Sequence, residues 1–280
     1  MKNQKKTLFQ PRTVQEAYEA RPRLWWLYTL ILLIVVLLLG WSGSAVQFKG
    51  FANKGIEVAK GVGYGLTHPD TKLLFNVTPE GVPYQLLQTI AIAVLGTVIG
   101  GVLAIPFSFL ACEKIVPKWL AFLFRALILM IRTIPSLVWA LMWIRVTGPG
   151  AFCGVMTQSV CSIGMISKMY ITAIEDVDDR ILESLDAAGC TSFQKIRYGM
   201  LPQIVPNFVS TVIYRFDINM KDATTLGIVG AGGIGAALVQ CINSSRWSMV
   251  GSYMFGLIAL MLLIEVFSTR VRTGLTRGQR

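Results

Sequence analysis

Six long apolar runs constrain the fold of this 280-residue chain more than any other feature. The hydrocarbon core of a bilayer is about 30 Å thick, so a helix needs about 20 apolar residues to cross it. Charged residues make up only 15% of the chain, against about 25% in average soluble proteins. The sequence therefore predicts an all-α integral membrane protein with about six transmembrane helices. The runs extend approximately over Leu24–Trp41, Leu86–Ala111, Trp119–Ile144, Phe152–Ile174, Ile204 into the 220s, and Met249–Phe267.

Basic residues precede the first run and follow the last one, and the net charge is +11. Lys and Arg concentrate on the cytoplasmic side of membrane proteins, and an even number of spans returns the chain to the side on which it began. We therefore expect a multi-pass protein of the bacterial cytoplasmic (inner) membrane with both termini in the cytoplasm. The expected divisions are a cytoplasmic tail (1–23), an anchor span (24–42), a periplasmic loop (43–83), a core transmembrane domain (84–270) and a cytoplasmic tail (271–280).

A polar stretch, residues 176–203, separates the fourth and fifth runs and would lie in the cytoplasm. Acidic residues crowd its beginning, where they favour a helix N-terminus. Gly189 follows an apolar face at helical spacing, and a glycine just past the last turn is a common helix end. Thr191 to Gln194 fit a capping box, and Pro202 would end the helix that starts there. The pattern predicts two short amphipathic helices with a tight corner between them.

The same stretch resembles the EAA loop of ABC importer permeases. Glu183, Gly189 and Leu201-Pro202 stand at the spacing of that loop. The match departs from the loop's pattern at three positions, where two alanines and an isoleucine are replaced. The replacing residues are Ser184, Leu185 and Gly199.

Downstream, YRFDINMKDATTLGIVGAGGIG (214–235) closely resembles the signature of the phosphonate ABC transporter permease (PhnE) family. IRTIPSLVWAL (131–141) and SIGMISKMY (162–170) look like further blocks of that family. The resemblance covers about residues 84–275. It implies the type I ABC importer (MetI-like) permease fold.

The resemblance also implies a function: import of an organophosphonate, with energy from separate ATPase subunits that hold ATP and Mg. Phosphite or phosphate is the nearest alternative cargo, and methionine and glycine betaine are more distant ones. A periplasmic or lipoprotein binding protein would deliver the substrate, and a second permease copy would complete a homodimer, with a heterodimer as the alternative. The EAA loop would dock in a cleft of the ATPase. The residues implied in this coupling are Glu183, Ala187, Ala188, Gly189, Cys190, Thr191, Ser192, Leu201 and Pro202.

Charged residues interrupt the apolar runs. At the centre of a span, each charged residue raises the free energy of membrane insertion by roughly 2.5–3.5 kcal/mol. Such residues usually face a bundle interior and are functional candidates. We expect them to line a translocation path or to pair internally, for example Arg215 with Asp217 or Asp222. The cations exceed the aspartates by two, which would favour passage of a phosphonate-like anion. The candidates are Arg132, Lys168, Arg215, Asp217, Lys221 and Asp222.

Glycines form two further patterns. Gly230, Gly232, Gly233 and Gly235 stand in a G-x-G-x-x-G arrangement. A dinucleotide site would need a surrounding βαβ unit, which the flanking spans leave no room for. We expect irregular backbone instead, near the translocation path or its outer gate. In the second run, glycines at 96, 100 and 101 predict a face for close helix packing.

Several chemistries lack the residues they require. The sequence contains no G-x-x-x-x-G-K-[ST] motif, so a nucleotide site would belong to another subunit. It has one histidine and no CxxC pair, and no metal site or catalytic residue is expected. A membrane enzyme, which would need clustered His, Asp or Ser, and an ATP-independent channel are the alternatives from other functional classes. A channel would not explain the patterned helix pair at 176–203.

Overall fold

The computed structural model describes residues 25–45 and 55–277, in two units, Met1–Ile56 and Glu57–Arg280. In the first unit, helix α1 spans Trp25–Ala45, and none of its residues is buried. The predicted tail 1–23, part of the predicted loop (46–54) and the last three residues lie outside the described residues.

The described residues of the second unit form helices and connections, without a strand. α2 (Gly55–Thr67) begins at the boundary between the units. The following helices are α3 (Thr71–Phe75), α4 (Val82–Leu110), α5 (Lys118–Thr133), α6 (Ser136–Thr147), α7 (Ala151–Glu175), α8 (Asp179–Ala187), α9 (Ser192–Gln194), the π-helix π1 (Lys195–Met200), α10 (Leu201–Ile228), α11 (Ile234–Asn243) and α12 (Trp247–Arg277).

Three of the described helices, α1, α4 and α12, are long and apolar enough to cross a membrane, and α5 with α6 would make a fourth span if counted together. α7 and α10 have 25 and 28 residues and are long enough to cross a membrane, but their polar residues make them less apolar than these helices. The predicted all-α membrane protein is confirmed. The count of six spans stays a prediction.

The third apolar run is not one straight span, as the sequence analysis assumed. α5 and α6 meet at an angle of 88° across Ile134 and Pro135. The residue before a proline is forced out of the helical region, and Ile134 has extended backbone angles (φ −87°, ψ 121°). The Trp139 indole N–H donates to the freed Ile131 carbonyl at 3.4 Å. Pro135 therefore breaks the run and turns α6 away from α5.

α4 packs extensively against α7, and the predicted glycine face makes this approach possible. A Cβ at Gly96 would lie 2.5 Å from the Gln158 Cβ, and one at Gly100 would lie 2.8 Å from the Ser159 carbonyl oxygen. Both distances are too short for real carbon atoms. Gly101 lies beside this contact, where a Cβ would meet its nearest neighbour at an ordinary 3.5 Å.

The predicted periplasmic loop contains two helices, α2 and α3, in its described part. α2 packs on the start of α12 through glycines: a Cβ at Gly61 would overlap the Trp247 indole, and one at Gly65 would overlap the Trp247 carbonyl. The Asp70 carboxylate caps α3 by accepting from the backbone N–H groups of residues 72 and 73 at 3.0 and 3.4 Å. Two glycines spaced four residues apart thus let this part of the polar connection pack closely against α12.

Pro202 does not end a helix, contrary to the sequence-based expectation. Helical structure runs without interruption from Ser192 through π1 into α10, with Pro202 in the first turn of α10. Pro202 has no N–H to donate to the Tyr198 carbonyl, and its ring crowds that group in an α-helix. In the wider π turn, the Leu201 N–H instead donates to the Ile196 carbonyl, five residues back. The π turn thus accommodates the proline.

Candidate functional site

The stretch 176–203, called the EAA segment below, folds as α8, a corner, and α9 with π1. Gly189 has φ +77°, a left-handed conformation that side chains with a Cβ adopt at a cost. The Cys190 N–H donates to the Leu185 carbonyl at 3.0 Å, and the Gly189 N–H donates to the Asp186 carbonyl at 2.9 Å. These two bonds form a Schellman motif, which satisfies the last carbonyls of α8. The predicted glycine helix end is confirmed.

The other side of the corner is capped as predicted. The Gln194 N–H donates to the Thr191 hydroxyl at 3.4 Å, and the Thr191 N–H donates to the Gln194 side-chain oxygen at 2.8 Å. This reciprocal pair is a capping box. The Lys195 ammonium pairs with the Asp186 carboxylate across the corner. Both arms of the corner are therefore fixed to one another.

The inner face of the EAA segment rests on one end of the helix bundle, which we call the EAA end. Leu182, Ile196 and Met200 pack on a hydrophobic cluster built from α4, α7 and α10. Within that cluster, the rings of Tyr170 and Phe208 stack with centroids 3.6 Å apart. These contacts bury part of the apolar side of each helix of the segment.

Polar contacts anchor the start of the segment. The Lys114 ammonium, in the link between α4 and α5, lies 2.7 Å from an Asp179 carboxylate oxygen and donates to the Val177 carbonyl at 3.1 Å. Arg125 on α5 pairs with Glu175, the last residue of α7, and lies 3.1 Å from Glu113. The EAA segment is therefore tied to the links and helix ends around it.

The outer face of the segment is exposed. Ala187, Ala188, Gly189, Thr191 and Ser192 form an exposed corner, with Cys190 partly buried beneath it. Glu183, Leu201 and Pro202 are also exposed. The structure brings the corner residues together on one surface, while Leu201 and Pro202 lie at the base of α10.

Two aromatic side chains on this surface were missed as site residues by the sequence analysis. Phe193 is 71% exposed and Tyr198 is 68% exposed. Phe193 falls at helical spacing with Ile196 and Met200, but only those two later residues reach the bundle. Exposed aromatic side chains of this kind commonly anchor protein interfaces.

The three departures from the EAA pattern include a compensating pair. A Cβ at Gly199 would lie 2.7 Å from the Leu185 Cδ1, so the missing side chain at 199 makes room for the leucine at 185. The large residue in place of alanine and the small residue in place of isoleucine thus fill one space. Ser184 donates its hydroxyl to the Ile181 carbonyl at 2.8 Å and stays exposed.

Arg215 lies in a buried polar cluster and is 6% exposed. Its guanidinium Nε donates to the Ser162 hydroxyl at 3.1 Å, and no carboxylate of residues 25–45 and 55–277 lies within 4 Å of it. Asn219 donates to the hydroxyls of Ser162 and Thr97, each at 2.8 Å, and Gln158 donates to the Asn219 carbonyl at 2.7 Å. Arg215 thus makes no direct ion pair with Asp217 or Asp222, because its donors reach the Ser162 hydroxyl and the Met165 sulfur instead.

Asp217 and Lys221 form an ion pair, and Glu265 joins it as a third residue. Glu265 was not among the candidates chosen from the sequence. The Lys221 ammonium lies 3.1 Å from an Asp217 oxygen and 3.1 Å from a Glu265 oxygen on α12. Lys221 and Glu265 each keep at least half of their side-chain area exposed. Glu265 reduces the expected positive surplus among the intramembrane charges from two to one. Asp222 is partly buried and makes no ion pair within 4 Å among the described residues.

Arg132 and Lys168 lie apart from these clusters, at the contact of α5 with α7. Both side chains are exposed and line a pocket of about 230 Å³ that also reaches Arg125 and Glu175. The structure thus divides the predicted path residues among three places: the buried cluster at Arg215, the ion-pair cluster at Lys221, and this pocket.

The glycine-rich segment forms a tight turn between α10 and α11. Gly230, Gly232 and Gly233 have φ of +92°, +80° and +74°. Side chains of α4 satisfy its backbone: the Gly233 N–H donates to the Gln88 side-chain oxygen at 3.1 Å, and the Ile234 N–H donates to the Thr89 hydroxyl at 2.9 Å. The predicted irregular backbone is confirmed.

Gly235 allows α11 to start close to the end of α10, since a Cβ there would overlap the Thr224 carbonyl oxygen. This turn lies at the opposite end of α10 from the EAA segment. Among the described residues, no group of three or more His, Cys, Asp or Glu side chains could hold a metal ion.

Residues 104–280 match the family of binding-protein-dependent transport system inner membrane components. The chain belongs to this family. The permease is 33% identical over 188 residues to the phosphite transport system permease protein PtxC of Stutzerimonas stutzeri, covering 67% of this chain and 68% of that protein. It is 33% identical over 192 residues to the phosphate-import permease protein PhnE of Mycolicibacterium smegmatis, covering 67% of this chain and 36% of that one.

A shorter match, 35% identical over 109 residues, joins the permease to the putative cryptic phosphonate transport system permease protein PhnE2 of Escherichia coli K12, covering 39% of this chain and 89% of that protein. Among solved structures, the MetNI methionine ABC transporter in an inward-facing conformation has a TM-score of 0.61 at 20% identity, covering 69% of this chain and 95% of that chain. This likeness confirms the MetI-like fold. The protein is a multi-pass ABC importer permease subunit.

Proposed function

We propose that this permease imports an organophosphonate across the bacterial inner membrane, driven by a separate ATPase dimer that binds ATP and Mg. The single observation that carries the coupling mechanism is the braced corner at Gly189. It presents a surface of small residues that a partner protein can approach closely. The bundle continues directly from this corner through π1 and α10, so a movement of the corner would reach the membrane helices.

In this proposal the residues of the EAA segment have distinct roles. Ala187, Ala188, Gly189, Thr191 and Ser192 contact the ATPase cleft, with Cys190 beneath them. Phe193 and Tyr198 flank the contact and bury their rings in the partner. Glu183 remains accessible for a polar contact, while Leu201 and Pro202 shape the join to α10. The permease itself carries out no chemistry.

The substrate class rests on the named relatives and on the charges. The three relatives are named for phosphite, phosphate and phosphonate transport, and each of these cargoes is a tetrahedral oxyanion. Arg132, Lys168, Arg215 and Lys221 supply the cations that such an anion would meet. Phosphite or phosphate is the alternative cargo. Methionine has less support, because the methionine transporter resembles this chain only in fold. Glycine betaine has less support because none of the three relatives above is named for it.

We further propose a translocation path along α10. Arg215 and the Asp217–Lys221 pair would line its wall, and Arg132 and Lys168 would lie on its approach. The glycine turn would form an outer gate, because irregular backbone at membrane depth lines a cavity or is buried in protein and this turn lies at the end of α10 opposite the EAA segment. The turn residues in this proposal are Gly230, Gly232, Gly233 and Gly235.

The assembly would contain two permease copies, two ATPase subunits and a periplasmic or lipoprotein binding protein. A homodimer is the simplest arrangement, and a heterodimer with a related permease is the alternative. Both termini and the EAA segment would lie in the cytoplasm.

Reconstitution tests the proposal. The permease, its ATPase and its binding protein would be placed in proteoliposomes, and uptake of a radiolabelled phosphonate would be measured with and without ATP. Calorimetry on the binding protein with phosphonates, phosphite and phosphate would rank the cargoes. We expect ATP-dependent uptake and the tightest binding for a phosphonate. A binding protein that prefers an amino acid or a betaine would overturn the substrate assignment.

A further inference from the structure

The contact between α5 and α7 repeats charged side chains at a seven-residue step. The helices run antiparallel: Arg125 pairs with Glu175, and further along α5 the Arg132 side chain packs on Gly164 of α7. Seven residues are close to two helical turns, or about 10.5 Å, so Arg132 lies above Arg125 and Lys168 lies above Glu175. We call each pair of facing charged positions a rung. The first rung, Arg125 with Glu175, joins a cation with a carboxylate. The second rung, Arg132 with Lys168, places two cations on either side of one pocket.

The cation of the first rung already has carboxylate partners. Arg125 lies between Glu113 and Glu175, and its Nε donates to the Ala111 carbonyl at 2.8 Å. The side chains of Arg132 and Lys168, in contrast, make no ion pair or hydrogen bond to any residue that the structure describes. Two like charges beside an apolar surface repel each other, and an anion between them would remove that repulsion.

The pocket has a volume of about 230 Å³. Ile128, Leu129 and Ile171 form its apolar part, which we call the floor, and the paired Arg125 and Glu175 also line it. Gly164 contributes to its construction, because a Cβ there would lie 2.9 Å from the Arg132 Cγ. The arginine stem therefore lies against α7 and holds the guanidinium at the pocket.

We propose that this pocket binds a phosphate-type oxyanion between Arg132 and Lys168. Arginine presents a planar fork that matches two oxygens of such a group, and lysine supplies a compact point charge. Two sources share this chemistry. The headgroup of an anionic phospholipid would place its acyl chain along the apolar floor, as basic pockets between membrane helices allow. A dissolved oxyanion would be the transported cargo, and this source alone rests on the function proposed above.

The test uses the full chain purified in detergent, in a lipid arm and a solute arm. The lipid arm counts bound phosphatidylglycerol by native mass spectrometry after titration, with phosphatidylcholine as the neutral reference. The solute arm follows methylphosphonate and inorganic phosphate by phosphorus NMR line broadening. The variant is Arg132→Gln/Lys168→Gln. The matched control, Lys118→Gln/Arg145→Gln, removes two exposed cations of α5 and α6 that do not line the pocket.

We expect the pocket variant to weaken binding at least tenfold in one arm while the control binds like the wild type. Loss in the lipid arm identifies a lipid headgroup, and loss in the solute arm identifies the cargo anion; either result supports the site. Equal loss in both variants, or no specific binding in either arm, overturns it. If the double variant fails to fold, as judged by size-exclusion chromatography, Lys168→Ala replaces it with the same expected outcomes. Because no ATPase is present, this result is independent of the uptake assay.

Discussion

At the scale of single residues, the corner of the EAA segment shows where local sequence rules succeed. A glycine after an apolar helical face and a Thr–Gln pair three residues apart predict a helix end and a helix start, and both are present. These signals depend on neighbours along the chain, so they can be seen in the sequence. The contact of Gly199 with Leu185 could not be seen, because it depends on how α8 folds back on π1.

Replacing Gly189 with alanine should reduce coupled uptake. Nothing lies within 4 Å of a Cβ at this position, so the change acts through the left-handed φ of +77° alone. That conformation costs an alanine about 1–2 kcal/mol, which corresponds to about a 5- to 30-fold shift in the population of the native corner. Uptake and ATP hydrolysis would be measured in proteoliposomes. Gly63→Ala is the control, because it also faces open space but in a helical conformation. Unchanged uptake in Gly189→Ala would count against the docking role.

Leu185 and Gly199 should show coupled effects on stability. Gly199→Ile alone forces a side chain into Leu185 and should destabilise the protein by about 1–3 kcal/mol. Adding Leu185→Ala opens the required space, so the double variant should be more stable than Gly199→Ile alone. The measurement is thermal unfolding in detergent for the four members of the cycle. Strictly additive losses would show that the two residues do not share one space.

At the scale of helices, prolines had effects that the sequence pattern did not resolve. Pro135 breaks one apolar run into α5 and α6, whereas Pro202 leaves the helix uninterrupted through a π turn. Both residues remove a backbone donor. The outcome differs between the two sites. After Pro135 the Trp139 side chain donates a hydrogen bond to the freed carbonyl, whereas before Pro202 the helix widens into a π turn. Such compensation depends on tertiary neighbours and is hidden in a single sequence.

Cys190 in the EAA segment and Cys112 in the cluster beneath it should differ in thiol reactivity. Cys112, in the link after α4, is fully buried, and this burial raises the pKa of its thiol. A raised pKa leaves less thiolate at a given pH, so maleimide labelling of Cys112 should be slow at pH 7 and should increase as the pH rises. Cys190, only partly buried at the corner, should react faster. Variants that retain one cysteine each would be labelled in membranes.

Binding of the ATPase should then protect Cys190 and leave Cys112 unchanged. This comparison uses Cys112 as the internal control for loss of structure, because unfolding would expose it. Cys190 that labels equally fast with and without the ATPase would place the docking surface elsewhere.

At the scale of the whole molecule, the sequence predicted the fold and one packing face but not the buried polar cluster. Glycines at 96 and 100 marked the contact of α4 with α7 because small residues at that spacing have a direct steric meaning. The cluster of Thr97, Gln158, Ser162 and Asn219 joins residues 57 to 122 positions apart. Each is a common polar residue with no local signature. Glu265 interrupts the last apolar run, so the rule that selected Lys221 could have found it.

Helix packing should tolerate a methyl group at one glycine and not at its neighbour. Gly100→Ala places a Cβ against the Ser162 side chain and 2.8 Å from the Ser159 carbonyl, and it should destabilise the bundle by about 1–3 kcal/mol. Gly101→Ala meets only ordinary contacts and should preserve the melting temperature or raise it. Both variants would be compared by fluorescence-detected size-exclusion chromatography after heating. Equal melting temperatures would contradict the close contact seen between α4 and α7.

The absence of a break between the corner and α10 has a mechanical consequence. The capping box, the Schellman motif and the Lys195–Asp186 pair make the corner stiff, and α10 extends from it for 28 residues, or about 42 Å. The helix stays continuous across its internal Pro206, so its two ends remain connected through the backbone. A displacement applied at Gly189 would therefore emerge at the glycine turn, on the opposite end of the bundle, as a tilt or a twist.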